Sequence, residues 1–160
     1  MLYPNKILLF LLLYSCLVLL SVYFMQYFLG MEPCELCVIQ RYPYYIILLL
    51  CSLSQYLYIK KITSYVLKIL YAVGFFSACG LIIAIYHVGI ENFLWKNIYT
   101  CSDQLSGNNI SVANLLDGIN EIATSCSEPI ELMGISIATY NIISNLFMIL
   151  LIIYGIYKTE

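Results

Sequence analysis

Seven cysteines in 160 residues pose the first chemical question, because sulfur is the most readily oxidised side-chain atom the chain carries. An odd number leaves at least one without an intrachain partner. Cys34-Glu35-Leu36-Cys37 is a C-x-x-C preceded by Pro33. That spacing serves thiol–disulfide exchange, a soft-metal site or a structural disulfide, and alone it does not choose among them. Its neighbours narrow the choice. Pro33 suits the first position of a helix, which would put both cysteines in an opening turn where the positive end of the helix dipole favours the attacking thiolate. Arg41 follows Cys37 by four residues and Cys34 by seven, so helical periodicity places all three on one face. Pro43 leaves a second arrangement open, in which it is the true helix start and the cysteines sit in a loop before it.

A second pair, Cys101 and Cys126, brackets a segment containing Gly107, Asn108 and Asn109. Bridging them would close a loop of about 26 residues, worth roughly 3–4 kcal/mol by chain entropy. Such a bridge is either a plain staple or a mobile exchange partner, since exchange needs an accessible disulfide near a reactive dithiol. His87 is the single histidine, in Tyr86-His87-Val88-Gly89-Ile90-Glu91. It is either a satisfied polar group or a hydrogen-bond donor to a ligand carbonyl at the depth of Arg41. One histidine cannot build a His-rich metal site, and no metal is expected. Cys16, Cys51 and Cys79 lie in apolar runs, where a thiol behaves as a small hydrophobe.

The elements that must position these groups are membrane spans. The chain is 62% hydrophobic and 10% charged, against about 45–50% and about 25% for soluble domains. Mean hydropathy is +0.90. Disorder is excluded by that composition. Seven Lys and Arg, scattered, make no phosphate-tracking patch, so nucleic acid is not expected as a partner. Charge-free runs cover residues 7–31, 42–59, 69–90 and 132–157, and about 20 apolar residues are needed to cross the bilayer. The second run is short, so part of 34–41 is expected to extend it. Spans of 7–29, 37–59, 66–88 and 134–157, with outer loops of 30–36 and 89–133, define an all-α polytopic membrane protein, a four-transmembrane-helix bundle in one domain of 1–160. Four runs without alternation cannot close a barrel. The first run exceeds a signal-peptide core and no A-x-A site follows it, so it is expected to be retained.

Orientation follows the lysines. Lys6, Lys60, Lys61 and Lys158 share one side if the helices alternate, and Lys68 can snorkel to it. Arg41, Lys96 and every acid except Glu160 lie opposite. The positive-inside rule then makes both termini cytoplasmic. Cys34, Cys37, Cys101 and Cys126 all fall on the outer side, where disulfides persist. Gly74 with Ala78, and Gly80 with Ala84, are small-xxx-small pairs that either permit close helix approach or reflect ordinary span composition. Val112, Leu115, Leu116, Ile119, Ile122 and Ala123 fall at helical spacing in the second outer loop, with Asn114, Asp117 and Glu121 between them. They predict a short amphipathic helix on the membrane surface or against the bundle. Trp95 suits an interfacial anchor.

Pro33-Cys34-x-x-Cys37-x-x-Gln40-Arg41, Tyr86-His87-x-Gly89-x-Glu91, the loop cysteines and Gly134-Ile135-Ser136-Ile137-Ala138-Thr139-Tyr140-Asn141 together resemble the disulfide bond formation protein B (DsbB) family. The motifs stand in family order over most of the chain. Some members carry tryptophan at the place of Tyr140, and the sequence between Cys101 and Cys126 carries no match. The resemblance implies a four-helix enzyme of the bacterial inner membrane that re-oxidises a DsbA-like periplasmic thiol oxidase and passes the electrons to the quinone pool, ubiquinone or menaquinone. It implies that the donor thiolate attacks Cys101 and releases Cys126, that Cys126 attacks the Cys34–Cys37 disulfide, and that Cys37 is the electron exit. It implies further that Arg41 lies beside the quinone and that His87 faces it. A donor couple near about −120 mV is already strongly oxidising, so a lipid-soluble quinone is a suitable final acceptor. Two other classes stand beside this one. A metal or small-solute transporter would use Cys34 and Cys37 as soft ligands, although no ionisable residue lies at mid-span to line a path. A structural membrane protein would use the disulfides only to staple its loops.

Overall fold

A computed structural model of the chain describes residues 2–95, 131–132 and 134–158. Helix α1 (Leu2–Phe28) takes up the first apolar run, with Pro4 in its first turn, where a missing N–H breaks no helical bond. It stops where Gly30 adopts φ +64 and the Met31 N–H returns to the Met25 carbonyl at 3.3 Å. Helix α2 (Glu35–Ile39) is one short turn, and α3 (Tyr42–Ile59) follows with Pro43 at its start. Cys34 caps α2 and Cys37 lies in its opening turn, rather than in a loop before Pro43. They belong to a separate turn joined to α3 through Gln40 and Arg41, whose N–H groups bond Leu36 and Val38 carbonyls at 3.0 Å.

After a 3-10 turn at Thr63–Tyr65 comes α4 (Val66–Glu91), and the last helix is α5 (Ile137–Tyr157). Ser136 caps α5 by accepting the Thr139 N–H at 3.2 Å. Just before it, β1 (Glu131–Leu132) and β2 (Ile135–Ser136) form a small antiparallel hairpin with Gly134 at φ +80. Residues 134–136, expected inside the fourth span, belong to this hairpin and cap. Four segments are long and apolar enough to cross a membrane: Pro4–Phe28, Glu35–Ile59, Val66–Glu91 and Ile137–Tyr157. The protein is a four-helix membrane bundle. Cys101, Cys126, Lys96 and the expected surface helix at 112–123 lie outside the described residues.

Contacts run α1 to α3, α3 to α4 and α4 to α5, while α1 and α5 meet more sparsely. Leu8, Leu11, Ile47, Leu70, Val73 and Met148 fill the core. Leu13, Leu20, Leu49, Ile82 and Leu150 stay exposed, as lipid-facing side chains must. The α4–α5 approach depends on Gly80, where a Cβ would stand 2.7 Å from Asn145 Oδ1. At one end of the bundle Gln55 Nε2 donates to the Asn5 carbonyl at 3.3 Å, and Ile7 fills the space beside Gly155. The amines of Lys60, Lys68 and Lys158 lie over the rings of Tyr56, Tyr65 and Tyr154 at 5.5–5.9 Å, at that same end. Cys34, Cys37, Arg41 and His87 gather at the other.

Candidate active site

Cys34 is the N-cap of α2, with φ −69 and ψ 166, and its Sγ accepts the Cys37 N–H at 3.4 Å. The two sulfurs are 3.1 Å apart. A five-residue helix has little dipole to offer, so the expected dipole contribution is small beside this single N–H. The two cysteines differ in surroundings. Cys34 is buried among Leu36 and Ile90 and turns toward α4, whereas Cys37 is half-buried and faces an apolar cavity.

That cavity, about 300 Å³, lies in the sparse seam between α1 and α5. Val18, Val22 and Met25 of α1 and Ile137 of α5 supply apolar wall, and Cys37 and Arg41 stand at its polar end. Arg41 is 8% exposed, so its charge is largely removed from water and needs compensation. Nη1 donates to Gln26 Oε1 at 2.8 Å, and the guanidinium lies over the Tyr23 ring at 5.3 Å. Tyr23 in turn shares a hydroxyl–hydroxyl hydrogen bond with Tyr45. Arg41 Nε has no hydrogen-bond partner among the described residues.

His87 does not line the cavity. Its ring is buried on the far side of the C-x-x-C, with Nε2 3.5 Å from Cys34 Sγ and 3.8 Å from Glu91 Oε1. Gln40 Nε2 stands 2.9 Å from Nδ1. The sequence-predicted residues thus split: Cys37 and Arg41 face the cavity, and Cys34 and His87 face each other behind it. Cys51 is buried in the core and Cys16 lies on the outer surface of α1, both away from the site.

Gln40, Tyr44, Asn141, Ser144 and Asn145 had no role assigned from sequence. Asn141 Nδ2 donates to Gln40 Oε1 at 2.7 Å, and Tyr44 OH lies 2.6 Å from Asn141 Oδ1 and 2.9 Å from Ser144 Oγ. Tyr14 OH joins from α1, donating to Ser144 Oγ at 3.1 Å. The available signal was polarity: Asn141, Ser144 and Asn145 repeat at i, i+3 and i+4 on one face of an apolar span, where each polar group needs a partner.

A C-x-x-C at one end of a four-helix membrane bundle, with a buried arginine on an adjoining apolar cavity, defines a membrane-embedded thiol protein. Over residues 4–155 the chain matches the family described as Disulfide bond formation protein DsbB, and it belongs to that family. Membership implies a protein of disulfide bond formation and suggests a thiol oxidoreductase. The chain is also similar to Uncharacterized protein RP370 of Rickettsia prowazekii (strain Madrid E), 30% identical over 139 residues, which cover 85% of this chain and 78% of the relative. No solved structure matches the chain.

Proposed function

We propose that this protein re-oxidises a DsbA-like periplasmic thiol oxidase and delivers the electrons to a membrane quinone. Its redox cysteines face the periplasm and both termini the cytoplasm. The donor thiolate attacks Cys101, breaking a Cys101–Cys126 disulfide and releasing the Cys126 thiolate. Cys126 attacks Cys34, breaking the Cys34–Cys37 disulfide and forming Cys34–Cys126, and Cys37 leaves as a thiolate facing the cavity. The donor's second thiolate attacks the donor–Cys101 disulfide, so the donor departs oxidised and Cys101 is freed to attack Cys126, restoring Cys101–Cys126 and releasing Cys34. A quinone beside Cys37 and Arg41 would accept two electrons and two protons from the Cys34–Cys37 pair as its disulfide re-forms. The observation that carries this reading is the placing of Cys37 and Arg41 on one apolar cavity while Cys34 is turned away. The Arg41 side chain on the cavity wall suits a ligand carbonyl by its charge, and the apolar walls suit a ring and its isoprenoid tail. These residues fit a quinone.

The test is stopped-flow oxidation of a reduced periplasmic thiol oxidase with added quinone, comparing wild type with Cys37→Ser. Quinone absorbance should fall only with wild type, and equal rates would exclude Cys37 as the exit. Replacing Cys16, Cys51 or Cys79 should leave the rate unchanged. One observation favours a second reading: Cys34 Sγ, Cys37 Sγ and His87 Nε2 lie within 4.8 Å of one another, a spacing that could hold a soft metal. Stoichiometric zinc in purified protein, with no quinone-dependent oxidation, would establish that reading instead.

A further inference from the structure

We infer that Gln40, Asn141 and Asn145 are positioning residues that fix the tautomer of His87 so that its Nε2–H is donated to the Cys34 sulfur. The argument starts from a backbone carbonyl, whose polarity is not in question. Asn145 lies 2.9 Å from the Asn141 carbonyl oxygen, and only an amide N–H can face it. That sets the Asn145 amide, and its Nδ2 also lies 2.9 Å from the Asn141 side chain. The Asn141 atom at that point must accept, so it is Oδ1.

The other end of the Asn141 amide is then a donor, and it meets Gln40 at 2.7 Å, which makes the Gln40 atom there Oε1. Gln40 Nε2 consequently points a donor at His87 Nδ1, 2.9 Å away. A nitrogen receiving a hydrogen bond carries no proton. The neutral ring must hold its proton on Nε2, the nitrogen 3.5 Å from Cys34 Sγ. Four side chains, two from α5, one from the turn after α2 and one from α4, thus transmit one orientation, over some hundred residues of sequence, to a sulfur.

Asn145 Oδ1 marks how firmly the orientation is held. It is buried and has no partner among the described residues, yet turning the amide over would set two oxygens face to face. The same logic weighs against a metal. A metal on Nε2 needs that nitrogen bare, which would require every amide in the chain to reverse. An Nε2–H donor instead stabilises the sulfur whenever it is charged, and a stabilised reduced form makes a dithiol–disulfide couple more oxidising. The sulfur's part in this rests on the proposed use of Cys34–Cys37 as a redox pair. The tautomer does not.

Because His87 is the only histidine, a full-length chain labelled with 15N-histidine gives one imidazole to assign. Wild type should show a proton on Nε2 and a bare Nδ1. Gln40→Glu keeps size and the Asn141 bond but offers His87 only acceptors when ionised, so Nδ1 should gain a proton. A proton on Nδ1 in wild type, a metal-bound Nε2, or a tautomer untouched by Gln40→Glu would overturn the inference.

A second readout addresses the sulfur. In chains carrying Cys101→Ser and Cys126→Ser, the Cys34–Cys37 couple is equilibrated with glutathione. Gln40→Leu should move that equilibrium about tenfold toward the disulfide, about 30 mV more reducing. An unmoved equilibrium would overturn the sulfur's part. Absent quinone reduction with the Nε2–H tautomer intact would sink the proposed function and leave the tautomer assignment standing.

Discussion

Arg41 is tied to the protein and also lines the cavity. Nη1 is committed to Gln26 and the guanidinium face to Tyr23, and in the proposed function the charge so held meets the quinone. Lysine keeps the charge but has no such fork. Arg41→Lys should therefore raise KM for quinone about tenfold, the loss of one charge-assisted hydrogen bond, while the exchange between donor and Cys101 continues at its wild-type rate. Steady-state kinetics with quinone varied at saturating donor makes the comparison. An unchanged KM would remove Arg41 from the ligand site. Cys34, Cys37 and Arg41 could be singled out in the sequence because their chemistry is local: two sulfurs three residues apart and one costly charge near hydrocarbon. Gln40 and Asn141 were not, since an amide gains its meaning from a partner about a hundred residues away. His87 drew attention as the sole histidine, but only the fold turns its ring to Cys34.

At the level of elements, the break between α2 and α3 does the sorting. Cys37 lies in α2 and Arg41 in the turn that follows it, and that break in the helix brings both onto the cavity. The sequence showed Pro43 as a boundary but not that the residues before it would wind into a turn of their own, held by the Cys34 cap. The small residues of α4 were likewise visible without their use. Gly80 and Gly74 both face α5, but a Cβ on Gly80 would meet Asn145 Oδ1 at 2.7 Å, while on Gly74 it would find Ile152 Cγ2 at 3.4 Å. Gly80→Ala should cost about 1–3 kcal/mol through overpacking. It should also disturb the His87 tautomer through Asn145. Gly74→Ala should be tolerated. Thermal unfolding in detergent of the two variants separates them, and equal melting temperatures would show that the α4–α5 seam yields freely at Gly80. Ser136→Ala, which removes the cap of α5, should cost about 1 kcal/mol in the same assay.

For the whole molecule, the four spans and their class were legible because charge-free runs of bilayer length admit few folds. The looser α1–α5 seam was not, since it depends on which helices become neighbours. That seam gives the cavity its place, and in the proposed function it is the side from which a quinone dissolved in the hydrocarbon would approach Cys37. Two positions on α1 test this with the same substitution. Val22 lines the cavity, while Leu20, two residues earlier, is 65% exposed on the lipid-facing surface. Val22→Trp should fill the cavity and raise KM for quinone at least tenfold, because an indole cannot share a space of about 300 Å³ with a substituted ring. Leu20→Trp adds a similar bulk where lipid can give way, and KM should stay at its wild-type value. In both variants the proposed exchange between reduced donor and a Cys101–Cys126 disulfide should still run in a single turnover, since the proposed step needs no ligand in the seam. A quinone KM indifferent to Val22→Trp would place the acceptor elsewhere and detach the cavity from the cysteines beside it.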